Sequence, residues 1–109
     1  MNTEQIKKMI ENFKKHEPPM SSLSFELEEI EDIIRQDFSD YIHFERLFLE
    51  GKLNDVNINE IRQYLKLSEG HISQLLEEYI PKTEEVKEQK EEIKNFNSLM
   101  RSIMLEMIK

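Results

Sequence analysis

Apolar residues fall in this chain at the three-and-four spacing of helix faces. Ile6, Met9, Ile10 and Phe13 make a first such face, opening from Thr3 as a candidate N-cap and running to about Lys15. Pro18 and Pro19 forbid its continuation, so residues 16–23 read as a linker. From Ser24, Leu27, Ile30, Ile33, Ile34, Phe38, Tyr41 and Ile42 hold helical period with acids between them. Phe44, Leu47 and Phe48 continue an apolar face to Gly51, the expected C-terminal glycine, and the pattern suits one helix or two.

Asn57 followed by Glu60 has the spacing of a capping box, which places a short helix with Ile58, Ile61 and Leu65 inward and an end near Lys66. Leu67-Ser68 is then a turn, with Ser68 capping a helix that buries Ile72, Leu75, Leu76 and Tyr79 and stops before Pro81. Thr83 caps a last helix reaching the C-terminus. Val86, Ile93, Met100 and Met107 recur there every seven residues, with Phe96 and Ile103 three residues after two of them and Gln89 breaking that second series. About 27 residues at 1.5 Å each give roughly 40 Å, long for a one-core domain of this size. The expectation is that Val86, Ile93, Phe96, Met100, Ile103 and Met107 form a coiled-coil-like seam binding another protein or a second copy, with an ordinary core helix as the alternative.

Composition narrows the class. With 109 residues, 2 Gly, 3 Pro and no Cys, the chain has few turn glycines for a β sandwich and no glycine loop for a nucleotide fold. The reading is one all-α domain over 1–109, with a basic amphipathic helix at 1–15, a helical core at 24–80 and a long helix at 83–109. Disulfides, cysteine nucleophiles and thiolate metal sites are excluded. No apolar run approaches the 18 residues or so of a membrane span, and a cytoplasmic location without membrane contact is expected. Richness in lysine and glutamate with few alanines suggests a low-GC bacterium, its phages or its mobile elements.

Charge is uneven. The net −8 resides almost wholly in residues 21–50, where nine acids face Arg35 and Arg46. Residues 1–20 are slightly basic through Lys7, Lys8, Lys14 and Lys15, which recur at seven-residue spacing and would share one broad helix face able to meet phosphate or an acidic surface. An acidic total disfavours nucleic acid, yet a local basic face still binds it, because exposed charges more than about 10 Å apart are screened.

Residues 56–80 resemble the helix-turn-helix of small transcription regulators and sigma-type factors, through Ile58, Ile61 and Leu65, the Leu67-Ser68 turn, and Ile72 with Leu75-Leu76. The resemblance covers about a quarter of the chain. It implies a recognition helix with Glu69, Gly70, His71, Ser73, Gln74 and Glu77 outward. That helix departs from the pattern in having no Arg or Lys, so nucleic-acid contact would draw on Lys7, Lys8, Lys14, Lys15, Arg62 and Lys66, with His71, Ser73 and Gln74 as lesser contributors.

No catalytic constellation is legible. His16, His43 and His71 lie on separate elements with no carboxylate in a metal pattern, and His43, beside Tyr41 and Glu45, reads as a core or boundary histidine. The expectation is a non-enzyme without cofactor, metal or small-molecule substrate. It would be an accessory protein of nucleic-acid transactions that binds a partner protein and touches nucleic acid weakly or within the complex. The alternatives are a dimeric DNA-binding regulator and an inhibitor whose acidic stretch occupies a basic site on a nucleic-acid-binding target.

Overall fold

A computed structural model describes residues 3–15, 27–67, 71–78 and 80–109, without the side chains of residues 28, 29, 31, 67 and 71–73. Among the described residues there are five helices and no strand: α1 (Thr3–Lys14), α2 (Glu28–Leu49), α3 (Asp55–Leu67), α4 (His71–Glu78) and α5 (Glu84–Met107). The fold is all-α, a single small domain with a long C-terminal helix. The expected linker at 16–23, the Ser68 cap, Glu69, Gly70 and Tyr79 lie outside the described residues. The cap position of α2 is Leu27 rather than the expected Ser24, and it makes no side-chain capping bond.

Residues 28–49 form one helix, so the open choice between one and two resolves to one. It stops where Gly51 takes φ +68°, a left-handed conformation costly to any residue with a Cβ. The Gly51 amide donates to the Phe48 carbonyl at 3.1 Å and the Lys52 amide to the Leu47 carbonyl at 2.8 Å, a Schellman ending that satisfies two otherwise orphaned acceptors. α3 begins earlier than expected. The capping box is Asn54 with Asn57: the Asn57 amide donates to Asn54 Oδ1 at 2.9 Å and the Asn54 amide to Asn57 Oδ1 at 3.2 Å. Asn57 is thus the inner half of the box, and Asp55 joins the first turn, where its charge complements the helix dipole. Thr83 caps α5 as expected, its Oγ1 accepting from the Val86 amide at 3.2 Å.

α5 is the rod on which the domain is built: α1, α2, α3 and α4 all pack against it, and α4 also lies on α2. Its 24 residues span about 36 Å, within a molecule 44 Å long, so the body is extended enough to cover it. Val86, Ile93, Phe96, Met100, Ile103 and Met107 are all buried in the chain's own core, and so are Gln89, Asn97 and Met104. Adding Asn97 and Met104 widens the two-position seam to a three-position face, the pattern of a helix surrounded by neighbours rather than paired with one. The expected docking seam is therefore the domain's interior.

Where α1, α2 and α5 meet, Phe13 lies 5.0 Å from Phe96 and 5.1 Å from Tyr41 between ring centroids, and Phe38 is 5.5 Å from Phe96. Aromatic pairs in this range add to the stabilisation from burial alone. His43 sits on the opposite side of α2 and is exposed, with Nδ1 3.5 Å from Arg46. The burial of Tyr41, Phe44 and Glu45 turns residue 43 outward, which corrects its reading as a core or boundary histidine.

Candidate functional site

A cleft of about 390 Å³ runs between α3 and the last two turns of α5, lined by Arg62, Leu65, Lys66, Arg101, Ser102, Leu105 and Ile108. The three residues from α3 lie at i, i+3 and i+4, on one face of that helix. Leu65 and Ile108 are partly buried and Leu105 is 46% exposed, so the floor is aliphatic and open to solvent. Arg62 and Lys66 are exposed on one side, and the partly buried Arg101 faces them from the other helix. Three cations thus share the cleft, and its lining has no carboxylate.

The position of Arg101 follows from how α3 ends. Carbonyls in the last turn of a helix have no intrahelical donor, and the Arg101 guanidinium donates to one of them, that of Leu65, at 2.8 Å. The same group lies 5.9 Å from the centre of the Tyr64 ring, within cation–π range. Its charge complements the negative end of the α3 dipole, so Arg101 is held in place by contacts within the chain. Beside the cleft, Glu106 is paired with Lys109 at 2.8 Å. That hydrogen bond holds the Glu106 carboxyl below the usual glutamate range.

Of the residues singled out for nucleic-acid contact, the fold brings Arg62 and Lys66 together and adds Arg101, which the sequence reading missed. Two of the four α1 lysines have an acidic neighbour. Lys14 Nζ lies 3.1 Å from the Glu45 carboxylate, and Lys7 Nζ lies 3.8 Å from Glu4, while Lys8 and Lys15 are exposed. Gln74 is exposed on α4, with its amide donating to Glu78 Oε1 at 3.2 Å. The side chains of His71 and Ser73 lie outside the described residues. A signal for the cleft is present in the sequence. The outward positions of α5 are polar through Lys87, Glu88, Glu91, Lys94, Asn95 and Ser98, then turn aliphatic at Leu105 and Ile108.

Among the described acids of the 21–50 stretch, Asp37 and Glu45 are buried. Glu45 joins α2 to α1 through Lys14 and stands one helical turn from the buried Tyr41, neither Tyr41 Oη nor Glu45 Oε2 making a well-formed hydrogen bond. Burial, the contact with Glu45 and the charge of that carboxylate all push the Tyr41 phenol well above its ordinary range. A second surface hollow, of about 410 Å³ at the start of α5, mixes Lys82, Lys87 and Lys90 with Glu84 and Glu91. Among the described residues no three His, Asp or Glu side chains cluster in a way that would hold a metal ion, and no helix is long and apolar enough to cross a membrane. Comparison of the chain with protein-family models, curated proteins and solved structures found no match to any of them.

Proposed function

We propose that this chain is a non-catalytic accessory protein of nucleic-acid transactions, acting in the cytoplasm by binding a partner protein and touching nucleic acid weakly or within the complex. The observation that carries the reading is the cleft between α3 and α5, where Arg62, Lys66 and Arg101 surround an aliphatic floor. Its lining has cations, aliphatics and the Ser102 hydroxyl but no carboxylate or histidine for general acid–base work, so the chemistry it supports is that of recognition. In this reading the partner site is this cleft rather than the heptad face of α5, which lies inside the domain.

Nucleic-acid contact in this reading is electrostatic and comes from Lys8 and Lys15 on α1, joined by Arg62 and Lys66 on α3 only while no partner fills the cleft. α4 shows solvent Gln74, Glu77 and Glu78, a poor face for a polyanion. Gel shifts with single-stranded and duplex DNA across a salt series test this. Lys8→Gln with Lys15→Gln is expected to reduce the log–log salt slope by about two, since each neutralised phosphate contact contributes about 0.9 on B-DNA. Tight duplex binding by the isolated chain, with sequence preference lost in Gln74→Ala, would replace this reading with that of a DNA-binding regulator.

A further inference from the structure

We propose that the occupant of the α3/α5 cleft is an acidic amphipathic helix of a partner protein, one that sets Leu, Ile, Phe or Met side chains on the aliphatic floor and Asp or Glu carboxylates against the cationic sides. The inference rests on the reading of the cleft as a binding surface and goes further by naming the chemistry of what it binds.

Complementarity excludes the simpler occupants. A phosphate backbone would satisfy Arg62, Lys66 and Arg101 but leave Leu65, Leu105 and Ile108 facing a polyanion with nothing apolar to meet them. A purely apolar helix would cover the floor while drawing the exposed Arg62 and Lys66 out of water with no carboxylate to meet them, which is costly. A second copy docked cleft to cleft about a two-fold axis would set these cations against their own equivalents, in a chain that already carries −8. An amphipathic helix with acidic flanks meets both requirements at once. Its apolar residues at i, i+3 or i+4 and i+7 would lie along the floor. Carboxylates suit the guanidinium fork geometrically, and Arg101, already fixed by the Leu65 carbonyl, loses little freedom on pairing. The long-range negative field of the chain does not forbid such a ligand, because it is screened over about 8 Å at physiological salt.

The test presents the immobilised full-length chain to a random displayed-peptide library and measures the enriched peptides by fluorescence anisotropy. Peptides combining aliphatic or aromatic residues with Asp and Glu at helical spacing are expected. Leu105→Asp should weaken them about tenfold or more, and Arg62→Glu with Lys66→Glu should weaken them and make the remaining binding no longer fall with added salt as steeply as in wild type. Ile42→Asp, a change at an exposed residue on α2, should leave binding unaltered. No enrichment, enrichment of peptides without acids, or equal binding by Leu105→Asp would overturn the proposal. So would a dimeric mass by light scattering that Leu105→Asp returns to monomer, which would give the cleft to a second copy. Oligothymidylate and duplex DNA titrated against the same variants separate the two levels. Loss of DNA binding in Arg62→Glu with Lys66→Glu, together with no peptide selection, refutes the acidic-helix occupant and leaves the accessory reading standing. Peptide binding as expected, with no DNA binding in the presence or absence of peptide, upholds the occupant and removes the nucleic-acid part of that reading.

Discussion

The two sides of α5 follow different rules. On the inward side every position from Val86 to Met107 in the repeating face is covered, and even Gln89 and Asn97 are carried inside. On the outward side the helix is polar until its last turns, where Leu105 and Ile108 stand at the edge of α3 in a cleft with Arg62, Lys66 and Arg101. The longest and most regular apolar pattern in the chain is thus the one least available to a partner, and the short, irregular one is the one open to it. Regularity of spacing measures how much of a helix is packed; whether the covering surface belongs to the same chain depends on the other helices.

The sharpest way to break that comparison is to make one change on each side. Ile93→Asp puts a carboxylate at a fully buried position and is expected to abolish the cooperative thermal melt, a loss on the scale of the whole stability of a small domain, about 5–15 kcal/mol. Leu105→Asp, at a half-exposed position, should stay within about 0.5 kcal/mol of wild type. Equal losses by circular dichroism would show the two sides to be alike. A folded Ile93→Asp that had lost partner binding would restore the external seam.

Phe13→Ala comes next. Its ring joins α1 to Tyr41 and Phe96, and its removal is expected to cost about 3–5 kcal/mol in urea unfolding. A smaller loss would mean that α1 is an appendage rather than part of the covering shell. Gly51→Ala should cost about 1–2 kcal/mol. A Cβ there meets nothing within 4 Å, but φ +68° is strained for alanine, so the cost isolates backbone from packing. A wild-type melt for this variant would mean that the Schellman ending tolerates a different backbone.

The smallest effect at neutral pH is expected from Tyr41→Phe, and it grows in alkali. A phenol whose folded pKa is raised binds its proton more tightly when folded. Its contribution is complete below the unfolded value of about 10 and declines as pH rises beyond it toward the folded value. Wild type should therefore lose stability above about pH 10 more steeply than Tyr41→Phe in urea titrations. Parallel curves would place the phenol in contact with water.

Much of the architecture is legible before any tertiary information. Helical spacing of apolar residues, the Thr83 cap and the glycine at 51 are local signals, because caps and left-handed turns are set by bonds within a few residues. The α3 cap was misplaced by three residues for an equally local reason. Both Asn54 and Asn57 can cap, and the reciprocal pairing of the two outcompetes Asn57 with Glu60. Arg62 and Lys66 are legible as candidate cations in the sequence, whereas nothing local sets Arg101 apart from the other charges along α5. Its role depends on the last turn of α3 arriving beside it, 36 residues away in sequence, with an unsatisfied carbonyl.

What the sequence determined by itself is therefore the set of helices, most of their ends and which face of each is apolar, all properties that one segment settles with its near neighbours. Only the tertiary structure decided which apolar face is enclosed and which is left open. Coverage depends on where α1, α2, α3 and α4 settle on the rod, and a seven-residue repeat is the same whether its partner is another chain or the rest of its own.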